Sequence, residues 1–186
     1  MSRRIGVIVD GDGDFASLKK RFSDGFRILK TDGPRGHTAR SIDIAKRSKK
    51  QIGMLRAFQC KRVVVVLDFE QRSSRYEDFI REISDAFQEI PWGLRVDVVV
   101  TNRMIENWYL ADIVHLSRNK AFIRNGLRQK NYEGTDGKSE IKKCMAQGFA
   151  YSETEHGPQM FAVLRFEVAR TNSPSFEKFI SLVGVL

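Results

Sequence analysis

Cysteine is nearly absent from this sequence, and that absence sets the first limits. Cys60 and Cys144 are the two cysteines in 186 residues, and neither sits in CxxC or Cys/His spacing. This argues against both a disulfide framework and a zinc site. Histidine is also scarce. His37 and His156 fall in Gly/Pro-containing stretches and His115 near the end of a predicted helix. A lone histidine of this kind is more often incidental than a proton shuttle. There are four prolines and 41% hydrophobic residues, which fits a folded globule rather than a disordered chain. No apolar run reaches membrane-spanning length. The opening MSRR leads into a short strand-like run and then charges, so no signal peptide is expected. The expectation is a reduced, cytoplasmic chain with no membrane-spanning part.

What is present is positive charge. The formal net charge is +9 and the isoelectric point about 9.8. Such a balance favours a polyanionic partner, nucleic acid first and an acidic membrane surface second. The length suits one domain, 1–186, with a genuine core; a homo-oligomer is compatible with it.

Strand and helix patterns alternate along the first 116 residues. Continuous apolar runs at Ile5 to Val9 and Val63 to Leu67 read as buried parallel strands, with further strands at Phe26 to Lys30 and Arg95 to Thr101. Helices are predicted at Phe15 to Phe22, Ala39 to Phe58, Tyr76 to Gln88 and Met104 to His115. Thr31 to Thr38 reads as a turn or loop. The order predicts an α/β fold, a mostly parallel central sheet of about four strands with helices on both faces. From Arg118 to Lys143 a basic loop with short helices is expected, followed by a helical C-terminal flank at Pro158 to Phe166 and Pro174 to Leu182. Ser173-Pro174 supplies the signals of a helix start.

Two acidic clusters stand where apolar strands stop: Asp10, Asp12 and Asp14 in VIVDGDGDF, and Asp68 and Glu70 in VVVVLDFEQR. Ligands of open α/β sheets lie beyond the carboxyl ends of the strands. Carboxylates gathered there repel one another unless protons or a cation compensate them. The bland reading of the first cluster is a turn, but three aspartates in five residues exceed what a turn needs. It fits neither a calcium loop, where Phe15 and Arg21 occupy the required Gly and Glu positions, nor a phosphate loop. Asp68 and Glu70 share a face if strand geometry continues through Phe69, and hard oxygen donors suit Mg²⁺ or Mn²⁺.

Around these acids stand Arg72 and Arg75, suited to phosphate, and Asn102 and Arg103 at the exit of the fourth strand. Glu106 opens the next helix and serves equally well as a site residue or as a helix-dipole partner. Trp108, Leu110, Ile113 and Leu116 are assigned to the core, and Asp112 to a structural role. Arg35 to Arg62 holds nine Lys or Arg against one acid, including Arg40, Lys46, Arg47, Lys49 and Lys50. Singly, such residues are solvated helix charges; together they can engage several phosphates with salt-dependent affinity.

The segments VIVDGDGD, LDFEQR, RMIENWYLAD and HGPQMFAVLRFEVARTNSPSFEKF resemble, in order and approximate spacing, a bacterial TOPRIM-like family. That family is a domain of unknown function, often encoded beside AAA- or ABC-type ATPases in phage-defence loci. The resemblance covers nearly the whole chain. It implies a TOPRIM-like fold and Mg²⁺-dependent phosphodiester chemistry, a nuclease acting as effector with an ATPase partner. TOPRIM domains bind Mg²⁺ through a Glu after the first strand and an Asp-x-Asp after a later one. Those positions fall on Asp10, Asp68 and Glu70, with Asp12, Asp14 or Glu106 completing the shell. Asp10 is one methylene shorter than the family residue and Glu70 one longer. Glu153 follows Tyr151-Ser152 where the family often carries a Lys. Two alternatives stay open: an adaptor with the same fold that binds nucleic acid or the ATPase, and a PIN/NYN-like ribonuclease. A haloacid-dehalogenase-type phosphatase is disfavoured, because Asp14 replaces the Thr or Val of its signature.

Overall fold

The computed structural model describes residues 4–22, 25–33 and 38–184. Its centre is a four-stranded, all-parallel sheet. The strands are β1 (Ile5–Val9), β2 (Phe26–Lys30), β3 (Arg62–Asp68) and β4 (Arg95–Thr101), in spatial order β2-β1-β3-β4. The β-branched runs fill β1 and β3 because these strands are inside the sheet and covered on both faces. Val63 to Val65 are completely buried.

Side-chain alternation divides the strands between two cores. Val7, Val64, Val66 and Val99 point to one face, and Ile8, Val63, Val65, Val98 and Val100 to the other. The second face is covered by α2 (Ser41–Arg47), α3 (Lys49–Ala57) and α4 (Tyr76–Gln88), through Ile44, Ile52, Leu55, Phe79 and Ile83. The first face receives α1 (Asp12–Arg21) through Leu18. Chain excursions in opposite directions from β1 and β3 put their crossover helices on opposite faces when both are right-handed.

The C-terminal part of the chain, from Glu106 on, completes that first face. It contains α5 (Glu106–Leu110), α6 (Ile113–Asn119), α7 (Gly137–Cys144), α8 (Glu153–Val163), α9 (Phe166–Asn172) and α10 (Pro174–Val183). Trp108 stacks on Phe179 at 5.1 Å between ring centroids, and Trp108 Nε1 donates to Ser175 Oγ at 2.8 Å. Phe161 and Phe176 are also fully buried. Each such side chain contributes roughly 1.5–3 kcal/mol by burial, so the expected flank is part of the core. Trp108, Leu110, Ile113 and Leu116 are all buried as expected. Asp112 is buried and structural: it accepts from Arg165 N, Nε and Nη2, pinning the start of α9.

Several element boundaries differ from the pattern-based expectation. The first helix begins at Asp12, not Phe15, with Asp12 and Asp14 in the first turn where they complement the helix dipole. The basic helix is divided at Ser48, whose Oγ bonds back to Ile44 O at 2.9 Å, a contact that competes with regular helix. The Met104–His115 helix is likewise two helices, α5 and α6. Helix α8 starts at Glu153 and carries Pro158 inside it. His156 therefore belongs to a helix, buried, with Nδ1 accepting from Ser152 N at 3.0 Å. His37 and Arg35 lie outside the described residues. Cys60 and Cys144 are buried in the two different cores. Among the described residues no helix is long and apolar enough to cross a membrane.

Candidate active site

From β1 the chain leaves toward β2, and from β3 toward β4, so the carboxyl ends of β1 and β3 border the switch point of the sheet. Crevices form at such points. Here a cavity of about 110 Å³ is lined by Asp10, Gly11, Asp14, Asp68, Glu70, Glu106, Lys138 and Glu153.

Each acid reaches it by a separate local device. Asp10 ends β1. Asp14 sits in the first turn of α1, where its Oδ2 accepts from Gly11 N at 3.2 Å and caps the helix. Asp68 is the last residue of β3, and its Oδ1 accepts from Thr101 Oγ1 on the neighbouring strand at 2.8 Å. Glu106 opens α5 at 2% exposure. Its Oε1 accepts from Tyr151 Oη at 3.0 Å, and its Oε2 is buried without a hydrogen-bond partner. Glu70 arrives differently from the expected period-two pairing. The strand stops at Asp68, and Glu70 turns back with φ +54°. Arg103 faces it across the strand ends with φ +83°, and Glu70 N donates to Arg103 O at 2.7 Å. Left-handed backbone at non-glycine residues costs free energy and concentrates at functional sites.

Burial, aided by neighbouring charge, raises the proton affinity of Asp14, Asp68 and Glu106. Burial, then the charge of Glu106 and of Asp10, pushes the Asp14 carboxyl up to about 7 against the Gly11 hydrogen bond. Burial, reinforced by Asp14 and Glu106, holds Asp68 well above the ordinary carboxylate range. Glu106 is raised by burial, with Lys138 opposing.

The remaining expected residues are dispersed. Asp12 is not in the lining of the acidic cavity; it bonds Lys30 and lines an adjoining cavity of about 420 Å³. Arg72 is half-buried: its guanidinium lies 4.0 Å from the Phe79 ring centre and donates to Ala39 O at 2.8 Å. Arg75 is exposed at the start of α4, and Arg103 is half-buried. Arg40 pairs with Asp43 at 2.7 Å, and Lys50 with Asp32 at 3.1 Å. Lys46 and Arg47 line a separate cavity of about 540 Å³ with Asp32, Gly33 and Asp43, and Lys49 is exposed.

Lys138, Tyr151 and Asn107 are site residues that sequence patterning missed. Lys138 follows Gly137, where a Cβ would stand 2.5 Å from Asn107 Oδ1 and 2.7 Å from Glu106 Cβ. Only glycine lets α7 approach this closely. Asn107 Nδ2 donates to Asn102 O at 2.7 Å and to Thr135 O at 3.1 Å, tying the loop before α7 to the end of β4. The one local signal was Asp136, whose Oδ1 accepts from Ser139 N as a helix cap. Nothing in the spacing showed that this helix faces the acids.

No protein-family model, curated protein or solved structure matches the chain. Fold and site together define an α/β protein with an acidic, cation-flanked cavity at the switch point of a parallel sheet.

Proposed function

We propose that this protein is a TOPRIM-like, divalent-metal-dependent phosphodiesterase, a nuclease that works as a defence effector under an ATPase partner. The observation that carries the reading is the meeting of Asp10, Asp14, Asp68, Glu70 and Glu106 in one small cavity of a chain with net charge +9. Two or more carboxylates in a space this size are mutually destabilising without protons or a cation. The donor set fits Mg²⁺ or Mn²⁺: all are hard oxygens, and the buried Glu106 Oε2 has no hydrogen-bond partner. No three His, Cys, Asp or Glu are already gathered at ligating spacing among the described residues. Asp14 and Asp68 are turned toward Gly11 and Thr101 instead. Mg²⁺ commonly takes one or two protein carboxylates and keeps several waters.

Asp10, Asp68 and Glu70 would hold the metal, with Asp14 and Glu106 completing the ring and Asp12 standing outside it. Bound there, a divalent cation supplies positive charge to a phosphoryl oxygen and acidifies water. Thr101 and Tyr151 orient Asp68 and Glu106. Asp14, raised to about 7 by burial and by Glu106 in the absence of a cation, is a carboxylate whose charge a bound divalent cation would stabilise. Arg72, Arg75, Arg103 and the α2–α3 cations would meet the nucleic-acid backbone.

The test is incubation with DNA and RNA in Mg²⁺, Mn²⁺ or EDTA, with and without the neighbouring ATPase, for the native chain and Asp68→Ala. Metal-dependent cleavage lost in the folded variant is the expected result. Absence of cleavage with the ATPase present sinks the reading. The adaptor reading draws on the internal hydrogen bonds that already occupy Asp14 and Asp68; nucleic-acid binding preserved without any cleavage would favour it.

A further inference from the structure

The acidic cavity, at about 110 Å³, has room for an ion and waters but not for a nucleotide. The adjoining cavity, about 420 Å³, is large enough for substrate, and Lys138 and Glu153 are in the lining of both. Lys142 stands one turn further along α7 and also lines the larger space. Tyr151 links the two cavities: it lines the larger one while its hydroxyl donates to Glu106 in the smaller.

We infer that this larger cavity is the subsite for the phosphodiester backbone next to the reacting bond, where Lys138 and Lys142 take a phosphate. In the free protein Glu153 holds Lys138 in place of that phosphate. The inference rests on the reading of the acidic cavity as a metal-dependent phosphodiesterase site.

The Lys138–Glu153 pair is suited to exchange. Nζ and Oε1 lie 2.6 Å apart with side-chain exposures of 40% and 48%. Half-exposed pairs contribute little to stability, so releasing one costs little. Lys138 stays cationic: burial works against its charge, but Glu153, Glu106 and Asp68 outweigh it. A phosphate oxygen is the alternative acceptor for the same ammonium group. Gly13 has a matching constraint, since a Cβ there would stand 3.0 Å from Glu153 Cβ, so α1 and α8 hold the carboxylate over the cavity. Lys143, by contrast, is committed to Glu140 at 2.6 Å.

The experiment measures fluorescence anisotropy of labelled single-stranded DNA and RNA 12-mers, in EDTA and in Ca²⁺, across a salt series. Circular dichroism checks folding of each variant. Lys138→Ala/Lys142→Ala is expected to bind about tenfold more weakly, with the log–log salt slope smaller by about 0.7–1.4. Glu153→Gln is expected to bind several-fold tighter, because the competing carboxylate is gone. Unchanged affinity and slope in the double lysine variant overturns the inference, as does absence of binding by the native chain. Equal or weaker binding by Glu153→Gln overturns the placeholder role. Lysine-dependent binding without cleavage, even with the ATPase present, would leave the phosphate contacts of Lys138 and Lys142 standing and remove the nuclease reading.

Discussion

Two lysine- and arginine-rich regions of this molecule differ in what surrounds their charge. The α2–α3 stretch is the denser, but it faces solvent, and Arg40 and Lys50 are neutralised by the nearby Asp43 and Asp32. Helix α7 offers fewer cations, yet Gly137 and Asn107 bring it against Glu106, and Lys138 becomes part of the acidic cavity wall. Density of charge marks where a polyanion is attracted; enclosure beside the carboxylates marks where it is positioned. The first effect is long-ranged, and the second acts only at contact distance.

The largest effect that can break this contrast is at the acids. Asp68→Ala should lower metal-dependent cleavage by about 10²–10³-fold, the scale of removing one strong contact to developing charge. Oligonucleotide binding should persist. A gel assay read with anisotropy on the same protein would detect the reverse pattern.

Next is the approach of α7. In Gly137→Ala the new methyl meets Asn107 Oδ1 and Glu106 Cβ. Overpacking of this kind costs about 1–3 kcal/mol. A lowered thermal midpoint together with reduced cleavage is expected, and a variant as stable and active as the native chain would show that α7 need not be so close.

A smaller effect comes from proton linkage at Asp14. Its pKa rises from 3.8 to about 7 on folding. Between those values the folded chain keeps a proton that the unfolded chain releases. The contribution to unfolding free energy therefore falls as pH climbs through this window and stays low above it. In EDTA, Asp14→Asn should raise the midpoint by on the order of 5 °C at pH 8 and leave it nearly unchanged at pH 4. Scanning calorimetry at both values, then with Mg²⁺ added at pH 8, checks the sign. The native chain should recover most of the difference with the cation.

The smallest effects belong to the solvated side of the comparison. Lys46→Ala and Lys49→Ala should change stability by less than about 0.5 kcal/mol, and each should reduce the salt slope of binding by at most about 1. A loss from either matching that of Lys138→Ala/Lys142→Ala would erase the distinction between the two regions.

Legibility in the sequence was uneven for physical reasons. The β1 and β3 runs and the acids after them were visible because strand burial and loop chemistry are written locally. So was the core role of Trp108 and Leu110. Glu70 was placed correctly near Asp68 but for the wrong geometric reason, since a left-handed turn, not an extended strand, returns it to the cavity. Asp12 was grouped with Asp10 and Asp14 by spacing, yet a helical start sends it toward Lys30. Ser48 divides a helix whose apolar stripe is continuous. Lys138 was hidden because its partners are distant in sequence, and its importance arises from packing.

By itself the sequence determined an alternating α/β chain, the carboxylates at two strand ends and a strong positive charge, all consequences of short-range pattern and composition. Tertiary structure decided which acids share a cavity, that the C-terminal helices complete the sheet face begun by α1, and that a lysine from α7 joins the site. Those outcomes depend on sheet order and on close approach at Gly137, which are properties of elements meeting across long sequence separations.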